Sequence, residues 1–317
     1  MLMVTTNPTH AEMLRKSTER LWDQHQSGLI VPAGTVSDFS RASSQTYLQI
    51  KEKALALESL YTDCNLKLPP TCDLARLIAD AKLLSDSWLT NHSKLEMRLL
   101  LHGFHIDRIA DAVLPIRSVL EKERYLNLLT CGSLDLLGRE KSQAKNCLWE
   151  LELWSTLCRH GFDATLTEPP DIAILFEDSK IGIACKKIYS EKHVQNVLSE
   201  AVAQIESAFE FGIVGINLDD LLPAHQILRT TTRETMSRRI RDSNAQFFRT
   251  HERHFRKYLS CGRVIAALVS TSLVVELREG KPSLNNAGQS TIWTIPGLEA
   301  EKKEQINRFR DQFMDGA

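Results

Sequence analysis

The sequence predicts an α/β protein: a mixed sheet flanked by helices, preceded by an all-α N-terminal domain. Three observations carry this. Up to about residue 130 the apolar residues recur at helical spacing. After Gly138 the texture changes to short β-rich runs. The order there is helix, three strands, helix, strand, which suits a sheet with helices on its faces. The boundary falls near residue 135, giving a 1–135 helical domain for dimerisation, partner docking or sensing and a 136–317 α/β domain.

Taken in order, Ala11 to His25 has helical spacing at Met13, Leu14, Thr18 and Leu21. A loop with Gly28, Pro32 and Gly34 follows, then a long amphipathic segment from Ser43 to Cys64. Pro69 and Pro70 break it, and Thr71 or Asp73 can cap the next helix. Leu74 to Leu89 and Lys94 to Leu114 continue the pattern. In the second part a helix starts near Lys141 and is closed by Gly161. Three strand-like runs follow: "DATLTE", "IAILF" and "IGIACKKI", with "EDSK" as a tight turn between the last two. A helix from Ser190 to about Phe209 leads into "GIVGINL", read as a buried strand. Residues 224–259 read as helical; "RVIAALVS" and "SLVVELRE" read as a strand pair, with "STIWTI" a further strand.

Composition bounds the function. Of 317 residues 43% are hydrophobic, enough for a sizeable core, and the formal net charge of −1 means that any basic surface must be local. The seven cysteines form no CxxC pair, which argues against structural zinc and for buried, reduced thiols in a cytoplasmic protein. The first residues lack the basic region and apolar run of an export signal, and nothing has the length of a membrane span.

The stretch "EPPDIAILFEDSKIGIACKKI", Glu168 to Ile188, carries the chemistry. Side chains alternate along a strand, so Ile181, Ile183 and Cys185 share one face and Gly182, Ala184 and Lys186 the other. A hairpin brings Asp171 near Ala184 and Lys186. On the preceding helix Cys147, Leu151, Trp154, Leu157 and Cys158 share an arc, and Glu150 falls inside it. A carboxylate on a core-facing stripe needs a partner or a metal; a buried salt bridge is the plainer alternative. Glu152 falls outside the arc and is expected to be solvated.

A helix glutamate, a Pro-Asp step and a strand lysine in this order resemble the PD-(D/E)xK nuclease superfamily. Asp171 matches its metal-binding aspartate, Lys186 its lysine and Glu150 its helix glutamate. "SEAVAQIESA" is similar to the following helix, where Gln204 could face the site. The resemblance spans roughly residues 145–220 and implies a restriction-endonuclease-like fold, Mg²⁺ or Mn²⁺ on Asp171 and Glu150, and hydrolysis of nucleic-acid phosphodiesters. It also expects an acid where this chain has Ala184. Three accounts fit that departure: a natural loss that keeps binding alone, a ligand supplied by Glu150 instead, or a deliberate Glu→Ala exchange. The shifted pair of Cys185 and Lys187 is rejected, because it would point Ile181 and Ile183 into the site.

Residues 228–257 hold nine Lys or Arg and three acids, with Phe247, Phe248 and Phe255 interleaved. Arg238, Arg239, Arg241, Arg249 and Arg253, with Lys187 and Lys192 beside the hairpin, are the candidate nucleic-acid contacts. The alternative is a solvated helix with its Phe residues in the core. His251 and His254, and likewise His102 and His105, are read as surface imidazoles.

The expectation is therefore a cytoplasmic, metal-dependent nuclease, DNA before RNA, resembling effectors of prokaryotic anti-phage or anti-plasmid defence. It would work as a homodimer or with a partner ATPase or helicase, having no phosphate loop of its own. A catalytically silent nuclease-like subunit that binds nucleic acid or a partner protein is the alternative, and a pure interaction protein with a chance hairpin a third.

Overall fold

The computed structural model describes residues 22–24, 30–32, 36–37, 47–91, 96–176, 179–278, 283–295 and 297–315. Among the described residues four α-helices fill the first part: α1 (Tyr47–Asp63), α2 (Asp73–Asn91), α3 (Met97–Val113) and the short α4 (Lys122–Leu128). Short strands precede them: β1 (Trp22–Gln24), β2 (Ile30–Pro32) and β3 (Val36–Ser37). The helix expected over residues 11–25 lies outside the described residues up to 21, and Trp22–Gln24 is strand, paired antiparallel with β2. The region before residue 135 is therefore not wholly helical, and β3 joins the large sheet at Gly288 and Gln289.

The second part begins with α5 (Gln143–Arg159). Ser142 caps it, its Oγ accepting from the Lys145 backbone N–H, and Gly161 ends it at φ +76°, a conformation glycine adopts without strain. The meander β4 (Asp163–Leu166), β5 (Ile172–Phe176), β6 (Ser179–Lys187) follows, antiparallel throughout. Helix α6 (Val194–Glu206) then crosses over to β7 (Gly212–Asn217), which runs parallel to β6. The rest comprises β8 (Leu228–Thr230), α7 (Arg233–Leu259), β9 (Val264–Leu277), β10 (Ser283–Trp293) and α8 (Ala300–Asp315). The mixed sheet has the order β3-β10-β9-β7-β6-β5-β4, with β8 added against the far half of β9.

Three segments differ from expectation. "RVIAALVS" and "SLVVELRE" are one strand, β9, rather than a pair. The Ser270–Thr271–Ser272 joint holds no turn residue, and Thr271 is buried with its hydroxyl donating to Asn244 Oδ1 at 2.6 Å. Within 224–259, Leu228–Thr230 is strand, and the helix starts after Thr232, whose Oγ1 accepts from the Thr235 N–H at 3.2 Å. The final helix α8 was not anticipated. It buries Ile306, Phe309 and Phe313 against Phe162 and Phe176.

The two sheet faces carry separate apolar clusters, as the alternation along β6 requires. Ile181, Ile183 and Cys185 join Ile172, Ile174, Ile213 and helix α5 on one face. Ala184 joins Val214, Ile216, α6 and the buried Phe247, Phe248 and Phe255 of α7 on the other. The α5-side cluster extends unbroken to Ile50, Leu57, Ile78 and Ile106, so α1–α3 share a core with α5. Gly215 lets α5 press onto the sheet: a Cβ there would sit 2.7 Å from Leu153, and the Trp149 indole N–H donates to the Gly215 carbonyl at 3.2 Å. Among the described residues no helix is long and apolar enough to cross a membrane. The cysteines are all free, but only Cys147 and Cys185 are buried; Cys131, Cys158 and Cys261 are exposed, against the expectation of seven buried thiols.

Candidate functional site

Helix α5 carries two glutamates, and each meets a different set of charges. Glu150 is half-buried on α5, within electrostatic reach of Asp171. Burial pushes its carboxyl up, the neighbouring Asp171 pushes it further, and Arg124 and Lys186 only partly offset them, leaving it at about 8. Asp171 is buried at 7% exposure, just before β5. Its Oδ2 accepts from the Cys185 backbone N–H. Burial raises its carboxyl too, against the pull of that N–H, Lys186 and Arg124. Two carboxyls and two cations, from α5, the segment just before β5, β6 and α4, thus influence one another electrostatically, although no hydrogen bond or ion pair among the described residues joins Glu150, Asp171 and Lys186.

Lys186 is half-buried near the end of β6, and its side chain makes no hydrogen bond or salt bridge among the described residues. Arg124, which sequence reasoning missed, ion-pairs with Glu168. Nothing local in the sequence marks it; the fold of α4 against α5 delivers it. Ala184 stands beside Asp171, one step beyond the Ile172–Ile183 pair, and is fully buried in the α6-side cluster. Gln204 on α6 is half-buried; its carbonyl accepts from the Ser207 hydroxyl at 2.8 Å, and its side-chain Oε1 has no partner among the described residues. No described contact joins Gln204 to Glu150, Asp171 or Lys186. Among the described residues no three His, Cys, Asp or Glu side chains form a metal-holding group.

Glu152 overturns the expectation of a solvated carboxylate. It takes a two-pronged pair from Arg108 of α3, through Nε and, at 2.8 Å, Nη2. The same Nη2 reaches Asp219 at 2.6 Å. Burial alone would raise the Asp219 carboxyl, but Arg108 and Lys187 hold it below its ordinary value. Lys187, expected to contact nucleic acid, has a side chain only 5% exposed and is spent on Asp220 at 2.9 Å and Asn217 at 2.6 Å. Lys145 joins Asp220 from α5 at 3.3 Å. These are structural charges.

The other expected contacts sort by exposure. Arg238, Arg239, Arg249, Arg253 and Lys192 are exposed; Arg241 is half-buried, 3.7 Å from Asp242. The three phenylalanines between them are core residues, as is His251, which contacts Glu191 at 3.3 Å. His102 and His105 are not surface imidazoles either: His102 Nδ1 lies 2.6 Å from Asp80, and His105 is 3% exposed. Cys158, placed on the core arc of α5, is exposed.

No protein-family model, curated protein or solved structure matches this chain, so what it does must be read from the site itself.

Proposed function

We propose that the chain is a metal-dependent phosphodiesterase of nucleic acid, DNA before RNA, built on a restriction-endonuclease-like arrangement of α5, β4–β6, α6 and β7. The observation that carries this reading is the common electrostatic neighbourhood of Glu150, Asp171 and Lys186, three residue types from three separate elements.

The residues fit a hydrated Mg²⁺ or Mn²⁺. Mg²⁺ keeps several waters and needs only one or two carboxylates. Glu150 and Asp171 are such a pair; burial first and the Asp171 carboxyl second raise Glu150, and a cation between them would offset both. The cation would supply Lewis acidity at the phosphoryl oxygens. Asp171 is oriented for this by the Cys185 N–H on Oδ2. The Lys186 ammonium, which pairs with no carboxylate among the described residues, would offset charge on a bound phosphate. Without a cation the Glu150 carboxyl keeps its proton at neutral pH. The exposed Arg238, Arg239, Arg249, Arg253 and Lys192 would hold the backbone. Service in prokaryotic defence, in the cytoplasm, as a homodimer or with a partner ATPase or helicase, completes the proposal by analogy alone.

One observation favours a second reading, a silent subunit that binds without cutting: only two carboxylates meet, and Ala184 is packed in apolar surroundings where the third would stand. The deciding experiment incubates the chain with supercoiled DNA, and separately RNA, with Mg²⁺ or Mn²⁺. Cleavage that falls about 100-fold in Asp171→Ala and in Lys186→Met supports the first reading. Cleavage unaffected by Asp171→Ala would falsify the site. Salt-dependent DNA binding with neither cleavage nor Mn²⁺ uptake establishes the silent form.

A further inference from the structure

A cavity of about 380 Å³ opens on the opposite side of α5, between α3, α7 and strands β9 and β10. None of Glu150, Asp171 or Lys186 lines it. Its volume lies within the range of sites for small organic ligands. Trp149, Leu153 and Ile240 give it apolar walls.

Of the polar side chains on its lining, His105 and Arg239 are two that have no side-chain hydrogen-bond or ion-pair partner among the described residues. His105 is 3% exposed, yet neither ring nitrogen has a hydrogen-bond partner among the described residues. Buried polar groups ordinarily have one, and a buried imidazole facing a cavity without a protein partner marks where a ligand atom belongs. Arg239 is exposed; its Nη1 reaches the Arg229 carbonyl at 3.4 Å, and it has no carboxylate partner among the described residues. By contrast Arg108, Asp107 and Asp111 on the same lining are consumed by Glu152, Asp219 and Lys53.

We propose that this cavity binds a small organic anion of nucleoside-monophosphate size. Its flat body lies against Trp149, Leu153 and Ile240, a hydrogen-bonding edge meets His105, and its acidic group meets Arg239. Burial holds the His105 imidazole down to about 3, so it is neutral and offers one donor and one acceptor, the complement of a heterocyclic base edge rather than of a bare anion. This site does not depend on the phosphodiesterase reading, although Arg239 is also one of the exposed cations assigned there to the backbone, and the wall residues Trp149 and Leu153 lie on the helix that carries Glu150.

The test is calorimetric titration of the full chain with AMP, adenosine and inorganic phosphate. AMP is expected to bind with a Kd below about 1 mM, adenosine about tenfold more weakly, and phosphate without measurable heat. His105→Leu and Arg239→Gln are each expected to weaken AMP about tenfold, with the Tm of Arg239→Gln unchanged because that residue is exposed. Asp171→Asn, in the other site, leaves the AMP heat unchanged. No AMP binding at about 5 mM overturns the proposal, as does phosphate binding equal to AMP, or an Arg239→Gln chain that binds AMP like the parent.

Discussion

Glu152 and Glu150 stand two residues apart on α5, and their surroundings differ in kind. Around Glu152 every charge has a partner: Arg108 holds both Glu152 and Asp219, and Lys145 and Lys187 hold Asp220. Around Glu150 the carboxyl of Asp171 is a neighbour of like sign, and the nearby Lys186 side chain has no hydrogen-bond or ion-pair partner among the described residues. The first cluster joins α3, α5 and the turn after β7 into one structure. The second holds two raised carboxyls and an uncommitted ammonium, the condition expected of groups kept for a ligand. The difference is between charges neutralised by the fold and charges left for something else.

Removing cations from the paired cluster should have the largest effect. Arg108→Met strands two buried carboxylates and is expected to cost about 3–5 kcal/mol. Lys187→Met leaves Asp220 with Lys145 and should cost less, about 2 kcal/mol. Urea unfolding measures both. If Arg108→Met lowers stability by less than about 1 kcal/mol, the cluster is not structural and the comparison fails.

Glu150→Gln should act in the opposite sense, and only above acid pH. The Glu150 carboxyl rises from 4.5 to about 8 on folding. Between those values the folded chain holds a proton that the unfolded chain has lost, so the native state binds more protons and stability falls as pH rises. The parent is therefore expected to lose about 3 kcal/mol relative to Glu150→Gln between pH 5 and pH 8 in EDTA. Parallel pH profiles for the two chains would show that neither burial nor Asp171 raises the Glu150 carboxyl.

Much of this was legible from local pattern. The β4–β6 meander and the stop at Gly161 follow from a period of two and from one glycine, whereas Glu150, expected on the core-facing arc, is only half-buried. Partners at long range left no such trace. Glu152 was misjudged because Arg108 lies 44 residues away in sequence and on another helix. Lys187 was grouped with Lys186 because they are adjacent, though alternation sends them to opposite faces. The β9 misreading had a different cause: Ser270–Thr271–Ser272 is polar enough to resemble a break but contains nothing that turns a chain. His105 sits on a helix whose spacing suited an exposed residue equally well, and only the packing of α3 against α5 buries it.

The smallest expected effect on stability is the most discriminating. Lys186 and Lys187 are consecutive on β6, identical in chemistry, and differ only in which face they point to and what they meet there. Lys187 is bound to Asp220 and Asn217 and should be missed when removed. Lys186 is half-buried with no direct side-chain partner among the described residues, and its methylene stem is the part that packs, which methionine retains. Lys186→Met should therefore change unfolding free energy by less than about 0.5 kcal/mol, within the range of ordinary surface exchanges. It also removes one of the two cations that lower the Glu150 carboxyl, so Glu150 should titrate higher still in this variant, by carbon-13 NMR of labelled glutamate. A large stability loss would place Lys186 among the structural charges. An unmoved Glu150 titration would separate the lysine from the carboxyl pair and dissolve the site.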